Sequence, residues 1–303
     1  MTEMTDFQKK ITENLPEITL RLHEPMAKHT SFRIGGPAHV MAFPKNESEL
    51  AQILQVSDLL DIDWVILGAG TNVLAPDEGL DRLVICLKDC MDGIEQLDDT
   101  TIRVAAGVTM TRAAVFAANL GLSGMEFAHG IPGTVGGGVY MNAGAYGGEI
   151  KDICTAVSVM DRKGNIRRVS GEQMGFSYRH SILEETGQIV VAAEFTLEKA
   201  DAAAVKERMQ ELAEKRRASQ PLNLPSAGSA FKRPAGGYAA ALIDQNGLKG
   251  FQVGGAAISE KHAGFVVNLG GASAQDVKTL LTQVSDRVFE NTGIRLEPEV
   301  RIW

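Results

Sequence analysis

The sequence has few cysteines and none of the long apolar stretches that mark several protein classes. The three cysteines, Cys86, Cys90 and Cys154, are odd in number and lack C-x-x-C or C-x-x-H spacing. They predict buried thiols in a reducing compartment and argue against a disulfide framework or a zinc site. No window approaches the ~20 apolar residues of a membrane span, and the polar N-terminus lacks the apolar core of a signal peptide. These absences predict a soluble cytoplasmic protein.

Positive charge is also scarce. The 303 residues carry a net charge of −8 at pH 7, so no general basic field would attract a nucleic-acid backbone. An anionic ligand would have to be held by a local group of cations. The histidines, which show no metal-ligand spacing, are His23, His29, His39, His129, His180 and His262. We therefore expect no nucleic-acid, membrane or metal partner.

Two common nucleotide-binding signatures are missing. No G-x-x-x-x-G-K-[ST] sequence occurs, which argues against a P-loop. No G-x-G-x-x-G follows a strand, because Gly68-Ala-Gly70 continues into Thr71-Asn-Val73 and Gly136-Gly-Gly138 continues into Val-Tyr-Met. A standard dinucleotide-binding fold therefore loses support.

The most informative feature that is present is a glycine-rich run over residues 130–148. Its glycines are Gly130, Gly133, Gly136, Gly137, Gly138, Gly144, Gly147 and Gly148. Glycine leaves backbone N–H groups uncovered, so the chain can approach a ligand closely. A flexible linker is the alternative, but linkers are polar and this run contains Ile131, Val135, Tyr140 and Met141. The run predicts an ordered, half-buried loop on a large polar ligand, such as a phosphate-bearing cofactor.

A second glycine turn follows an apolar strand predicted over Trp64–Leu67. The chain turns through Gly68 and Gly70, and Thr71 and Asn72 then add side-chain donors beside exposed amides. The pattern predicts a small anion-binding nest, with an ordinary tight turn as the alternative. Two such loops in one chain favour the nest.

Hydrophobic spacing predicts a chain of mixed helices and strands. Helices are predicted over 5–15, 47–60, 113–120, 201–217 and 238–245, with a long helix carrying Val277–Val288. Strands are predicted over 38–43, 64–67, 83–87, 102–106, 189–195, 251–258, 264–269 and 294–302, with a hairpin over 156–169. Thr109 or Thr111 should cap the third helix, which ends before Gly121. The Pro-bounded segment 219–226 is the predicted domain boundary.

Two reactive side chains lie in short polar stretches. Arg179 could hold a carboxylate through two hydrogen bonds, although an ordinary surface arginine explains it equally well. Ser229 is flanked by small residues and followed by two cations, which predicts an exposed hydroxyl in an electropositive setting. Phe231 breaks the Gly-x-Ser-x-Gly pattern of a serine hydrolase. A proton donor and a turn-capping serine are the two interpretations left for Ser229.

Two further positions suit proton or ligand chemistry. Glu297 and Glu299 would point to the same face of an extended strand, which Arg301 continues. Paired carboxylates suit proton chemistry, but a solvated strand end explains them as well. His129 precedes the glycine-rich run and could touch a cofactor, although a structural histidine is the favoured interpretation.

Taken together, these motifs resemble the UDP-N-acetylenolpyruvoylglucosamine reductase family, in its shorter subclass. The resemblance runs from His29-Thr-Ser-Phe-Arg-Ile-Gly-Gly36 almost to the last residue. Its specific elements are Gly68-Ala-Gly-Thr-Asn72, Gly130-Ile-Pro-Gly-Thr-Val-Gly-Gly137, Asn142-Ala-Gly-Ala-Tyr-Gly147, Ser177-Tyr-Arg179, Gly228-Ser229 with Phe231-Lys-Arg-Pro234, and Leu296-Glu-Pro-Glu-Val-Arg301. Arg233 departs from the asparagine of other members.

The resemblance implies an α+β fold. It combines a two-part FAD-binding unit of the vanillyl-alcohol-oxidase type with a C-terminal α/β domain that binds substrate. We place the two FAD-binding parts at 1–95 and 96–218 and the substrate domain at 219–303, with the strand over 294–303 near the active site. The chain is expected to be a monomer.

The resemblance also implies the site residues. Arg179, Ser229 and Glu299 would be catalytic. Cofactor contacts would come from Gly68, Ala69, Gly70, Thr71, Asn72, Val73, Leu74, Ile131, Pro132, Gly133, Thr134, Gly136, Gly137, Asn142, Gly144, Ala145 and Arg301. Substrate contacts would come from Tyr146, Gln220, Lys232, Arg233 and His262.

By resemblance, the activity is the NADPH-dependent reduction of UDP-N-acetylglucosamine-enolpyruvate to UDP-N-acetylmuramate, a peptidoglycan precursor, with non-covalent FAD. Hydride would pass from NADPH to the flavin and then to the enolpyruvyl methylene carbon. Arg179 would bind the substrate carboxylate, Ser229 would protonate the neighbouring carbon, and Glu299 would be protonated beside the carboxylate. The alternatives are another FAD-dependent oxidase or dehydrogenase on the same fold, and a non-catalytic nucleotide-binding module.

Overall fold

The computed structural model describes residues 4–235 and 237–303, which form two compact units. The first unit comprises the chain up to Leu22, His39–Ala69 and Arg82–Glu214. The second unit comprises His23–Ala38, Gly70–Asp81 and Lys215–Trp303. Each unit is thus assembled from separated stretches of chain. The three-part division with boundaries at residues 95 and 218 stays a prediction.

Helices and strands alternate along the described chain. The α-helices are α1 (Asp6–Asn14), α2 (Glu47–Leu59), α3 (Met110–Asn119), α4 (Val135–Tyr140), α5 (Ile150–Ile153), α6 (Leu183–Thr186), α7 (Ala202–Ser219), α8 (Ala239–Gln245) and α9 (Ala274–Thr292). Short 3-10 helices cover Met26–Lys28, Glu126–Ala128 and Glu172–Met174.

The strands are shorter than the helices on the whole. They are β1 (Thr19–Pro25), β2 (Pro37–Phe43), β3 (Trp64–Leu67), β4 (Val73–Leu74), β5 (Leu80–Cys86), β6 (Ile94–Gln96), β7 (Thr101–Ala105), β8 (Leu122–Ser123), β9 (Gly144–Ala145), β10 (Gly148–Glu149), β11 (Cys154–Met160), β12 (Ile166–Ser170), β13 (Ile189–Thr196), β14 (Glu198–Lys199), β15 (Ser226–Ser229), β16 (Gln252–Val253), β17 (Ala256–Ile258), β18 (Phe265–Asn268) and β19 (Arg301–Ile302). Most of the predicted elements are confirmed to within a few residues.

Two sheets build the first unit. One is antiparallel, with the strand order β12-β11-β13-β7-β6, and its central strand β13 is buried over Ile189–Ala193. The other has the order β1-β2-β5-β3, in which β3 and β5 run parallel with Trp64 opposite Leu83 and Leu67 opposite Cys86. The turn that begins at Gly68 therefore leaves from the carboxyl end of a sheet strand.

The second unit is organised around helix α9 and an antiparallel sheet. The sheet has the order β15-β18-β17-β16, and β4 and β19 form a separate parallel pair with Arg301 opposite Val73. The apolar face predicted for α9 is confirmed, because its side chains are almost completely buried: Val277, Leu280, Leu281, Val284 and Val288. Ser273 and Asp276 form a reciprocal capping box at its start.

Helix caps settle one alternative that the sequence leaves open. Helix α3 begins after Thr109, whose hydroxyl accepts a hydrogen bond from the Arg112 amide at 3.2 Å. Thr111 has another partner: its Oγ1 accepts from the Gly130 amide at 3.2 Å. Thr111 therefore ties helix α3 to the first residue of the glycine-rich run.

The prediction of one continuous loop over 130–148 is wrong. The run contains helix α4 and a hairpin made of β9 and β10. Thr134 begins the helix, since its Oγ1 accepts from the Gly137 amide at 3.4 Å. A Cβ on Gly138 would lie 2.8 Å from Met110 Sδ, so a larger residue there would have to displace the Met110 side chain.

The predicted strand over 294–302 is also wrong, because only Arg301 and Ile302 form a strand. The preceding residues pair instead with the segment after β15. The Lys232 amide donates to Glu297 O at 2.8 Å, and the Glu299 amide donates to Ala230 O at 2.9 Å. Pro298, which has no N–H to give to a ladder, lies between these two bonds.

The prediction of buried thiols is confirmed for two of the three cysteines. Burial raises the pKa of Cys86 to about 11 and the pKa of Cys154 to about 12, whereas Cys90 is only partly buried. All three are free thiols. Within residues 4–235 and 237–303, no helix combines the length and apolarity of a membrane span, and no group of His, Cys, Asp or Glu could hold a metal ion.

Candidate functional site

The two predicted glycine loops meet within the first unit. A Cβ on Gly68 would lie 2.5 Å from Thr134 Oγ1, the hydroxyl that caps helix α4. The amides of Val135 and Gly136 are not open to a ligand, because they donate to Val108 O at 2.8 Å and to Ala106 O at 2.9 Å. Gly68 therefore allows close packing against the Thr134 hydroxyl.

The second half of the first loop, from Gly70 to Leu74, belongs to the second unit. Gly70 has φ +61°, and an added Cβ there would collide with the His29 carbonyl oxygen. Asn72 joins this loop to the C-terminal segment: its Nδ2 donates to Glu299 O at 3.1 Å, and its carbonyl accepts from the Arg301 amide at 3.0 Å. A predicted cofactor loop thus holds two predicted site residues.

One buried polar atom stands next to the glycine-rich run. His129 Nδ1 is buried and has no hydrogen-bond partner among the residues that the structure describes. A buried polar atom without a described partner at this place fits a large polar ligand beside the glycine-rich run. The interpretation of His129 as a structural histidine stays a prediction, as does its contact with a cofactor.

Arg179 lies at the tip of a tight turn in the first unit. Ser177 and His180 exchange two backbone hydrogen bonds across it, at 3.1 and 3.2 Å, and Arg179 has φ +55°. The guanidinium Nη2 donates to Gly144 O in the hairpin at 3.3 Å, and its Cζ lies 4.9 Å from the ring centre of Tyr178. The turn therefore brings Arg179 to the same hairpin that carries Gly144, Ala145 and Tyr146.

Ser229 and Glu299 come together in the second unit. Ser229 is the exposed last residue of β15, opposite Phe265 of β18. The segment just after it, Ala230–Lys232, makes the backbone bonds to Glu297 and Glu299 described above. Pairing of these two segments brings the backbone of Ser229 close to that of Glu299.

The predicted substrate residues of the second unit have varied surroundings. Lys232 Nζ lies 3.6 Å from Glu297 Oε2 in an exposed ion pair, and Arg233 Cζ stacks 4.5 Å above the ring of the exposed Tyr238. Gln220 Oε1 accepts from Arg216 Nη1 at 3.4 Å. Tyr238 is not among the predicted site residues. An aromatic residue five positions after Arg233 could have indicated a stacking partner for that arginine.

His262 is held beside the Ser229 strand. Its Nδ1 accepts from the Gly264 amide at 3.1 Å, and its ring meets Phe265 edge-on at 5.0 Å. Burial lowers the pKa of His262 below its ordinary value. The ring is therefore a neutral acceptor or donor at neutral pH, and not a cation.

Comparison with known proteins identifies the family of this chain. Residues 38–170 match the family described as FAD binding domain, and residues 220–303 match the family described as UDP-N-acetylenolpyruvoylglucosamine reductase, C-terminal domain. The chain is 45% identical to UDP-N-acetylenolpyruvoylglucosamine reductase of Caldanaerobacter subterraneus subsp. tengcongensis over 97% of this chain and 96% of that protein. The chain belongs to the UDP-N-acetylenolpyruvoylglucosamine reductase family.

Other members of this reductase family give the same result. The reductase of Agathobacter rectalis is 45% identical over 98% of both chains. The crystal structure of the reductase from Thermus caldophilus covers 95% of this chain and 99% of that chain, with a TM-score of 0.79 at 36% identity. The predicted α+β fold, with an FAD-binding unit followed by the C-terminal domain of the reductases, is confirmed.

Proposed function

We propose that this chain is the NADPH-dependent flavoenzyme that reduces UDP-N-acetylglucosamine-enolpyruvate to UDP-N-acetylmuramate in peptidoglycan precursor synthesis. The observation that carries the proposal is likeness to reductases of this name over 97% of the chain. Side chains of the required types also stand at Arg179, Ser229 and Glu299, as the mechanism needs.

FAD is the cofactor that this chain holds. Its predicted contacts are the backbone of the 68–74 and 131–137 loops, with Asn142, Gly144, Ala145 and Arg301. Bound there, FAD would supply hydride transfer between NADPH and the enolpyruvyl methylene carbon. The chain's own residues must stabilise the negative charge that develops on the substrate and donate a proton to it.

Arg179 has the task of binding the substrate carboxylate. When hydride reaches the methylene carbon, negative charge develops on the neighbouring carbon and spreads into that carboxylate. A guanidinium stays protonated throughout and can contact both carboxylate oxygens at once. Preorganised contacts of this kind stabilise a transition state by several kcal/mol, roughly 3–4 for a single donor.

Ser229 is proposed to deliver the proton, and Glu299 is proposed to lie beside the substrate carboxylate. A hydroxyl at the exposed end of β15 is accessible to a ligand, as a donor to carbon must be. A charged Glu299 next to a bound carboxylate would raise the energy of both, so we propose that Glu299 is protonated in the substrate complex. Lys232 is proposed to ease formation of the Ser229 alkoxide.

Two further features complete the proposal. The 1–95 and 96–218 parts are proposed to bind FAD and the 219–303 part to bind substrate, and substrate contacts are proposed at Tyr146, Gln220, Arg233 and His262. The chain is proposed to act as a monomer, which sedimentation of the purified protein would test.

The function is tested with purified protein and two additions. The protein should absorb near 450 nm because of bound FAD, and NADPH should bleach that band under anaerobic conditions. UDP-N-acetylglucosamine-enolpyruvate should then restore it with formation of UDP-N-acetylmuramate. Bleaching by NADPH without recovery on substrate would contradict the proposed substrate and favour another flavin-dependent dehydrogenase.

The flavin should be non-covalent. Covalent attachment needs a suitably placed His or Cys, and we expect the backbone of the two glycine loops to hold FAD without a bond to His129. Acid precipitation should therefore release all of the yellow colour into the supernatant. Flavin absorbance that stays with the denatured chain would contradict this prediction.

A further inference from the structure

The Arg179 turn adopts a backbone conformation that its own sequence does not favour. A φ of +55° at Arg179 lies in the left-handed region, which L residues other than Gly, Asn and Asp rarely occupy. Such conformations persist where the surrounding structure determines them. The turn must therefore be held by contacts from outside it.

Two fully buried polar side chains supply those contacts, one on each side of Arg179. Asn142 Nδ2 donates to Ser177 O at 2.9 Å, two residues before Arg179. Ser181 Oγ donates to Tyr140 O at 2.8 Å, two residues after it. Asn142 and Ser181 both have 0% exposure. Both bonds join the turn to the short segment 140–142, which leads from helix α4 into the hairpin.

Asn142 also fixes the hairpin to which the Arg179 guanidinium is bonded. Its Nδ2 donates to Glu149 Oε2 of β10 at 2.8 Å, and its Oδ1 accepts from the Lys151 amide at 3.0 Å. The amide is thus satisfied by three bonds to two separate segments. Movement of Asn142 would shift the turn and the hairpin together, and with them the bond from Arg179 Nη2 to Gly144 O.

We infer that Asn142 and Ser181 are positioning residues for Arg179, which fix its guanidinium where the substrate carboxylate binds. The inference rests on the proposed function, since it gives Arg179 its task. It also gives Asn142 a task that is separate from its predicted contact with the cofactor. Removing either side chain should impair the step that uses Arg179, and removing that of Ser181, which has no predicted cofactor contact, should leave the binding and reduction of FAD intact.

The first test is Asn142→Gly. Asn142 has φ +42°, and glycine accepts that conformation without strain, so the variant removes the amide alone. Substrate-driven reoxidation of the FAD-loaded variant should slow roughly ten- to hundred-fold, the effect of a small misplacement, and Ser181→Ala, whose side chain has no predicted cofactor contact, should show the same slowing with wild-type FAD content and bleaching by NADPH. Asn165→Gly is the matched control, because Asn165 holds an exposed turn of the same unit through Asp161 and should leave both half-reactions unchanged.

A double-mutant cycle separates positioning from a general structural effect. In an Arg179→Ala background, Asn142→Gly should slow reoxidation little further, because the group it positions is gone. Ser181→Ala, which removes one hydroxyl, should repeat this pattern and serves if Asn142→Gly does not fold. Additive losses in the Arg179→Ala background, loss of FAD from folded Ser181→Ala, or wild-type reoxidation in both single variants would overturn the inference. Failure of the proposed function would differ, since the wild type itself would not be reoxidised by substrate.

Discussion

Replacing Ser229 with alanine should almost abolish substrate reduction and leave flavin reduction intact. Ser229 is the proposed proton donor to the carbon that becomes negative, and general-acid catalysis contributes roughly 10²–10⁴-fold. The variant should bind FAD, bleach normally with NADPH and bind substrate, yet reoxidise very slowly. Stopped-flow absorbance of the two half-reactions measures this directly. Reoxidation within about tenfold of wild type would remove Ser229 from the mechanism.

The structure offers a matched control for Ser229 in the same strand. Ser226 Oγ accepts from the Gly228 amide at 3.4 Å, so the turn-capping task belongs to Ser226. Ser226→Ala should cost about 0.5–1.5 kcal/mol of stability through that lost bond and should leave both half-reactions near wild type. Ser229→Cys should recover part of the lost rate, because a thiol can also release a proton.

Replacing Arg179 with lysine should slow substrate reduction although it keeps the charge. Lysine has no planar fork to contact two carboxylate oxygens, and its ammonium is a single point of contact. Loss of such a preorganised contact costs on the order of 10²-fold in rate. Reoxidation by substrate should fall by that factor while bleaching by NADPH stays nearly unchanged.

Arg168 is the control for this substitution. It makes a two-point contact with the Glu194 carboxylate at 2.9 and 2.6 Å, and its side chain is 62% exposed. Surface ion pairs contribute little to stability, so Arg168→Lys should leave both half-reactions unchanged. Equal slowing of the two half-reactions by Arg179→Lys would mean that Arg179 serves the fold or the coenzyme instead.

The parts of the fold that sequence predicts are those that local spacing determines. Helix α9 could be found because its apolar positions recur at helical spacing, and strand β3 because its apolar run ends at a glycine turn. Helix α4 could not, because interior glycine disfavours a helix by about 1 kcal/mol per residue relative to alanine. It forms through the Thr134 cap and close packing against Ala106 and Met110, which sequence periodicity does not show.

The functional site likewise has parts that local sequence predicts and parts that depend on distant contacts. Motifs identify the residue types, and resemblance assigns tasks to Arg179, Ser229 and Glu299. The bonds that hold those residues could not be predicted, because they join distant positions: Asn72 to Glu299, and Asn142 to Ser177. The pattern of 294–302 predicts one strand for the same reason. Local spacing does not show that the residues before Arg301 pair with the segment after β15.

Because each unit is built from separated stretches of chain, we expect the two units to fold one after the other during synthesis. Every stretch of the first unit has been made once Glu214 has left the ribosome. The second unit must wait much longer, because strand β4 at Val73 and Leu74 pairs with Arg301 and Ile302. Until then its early stretches, His23–Ala38 and Gly70–Asp81, remain without the partners that bury them. Closing so long a loop is slow, so we expect these stretches to stay exposed on the nascent chain after the first unit has folded.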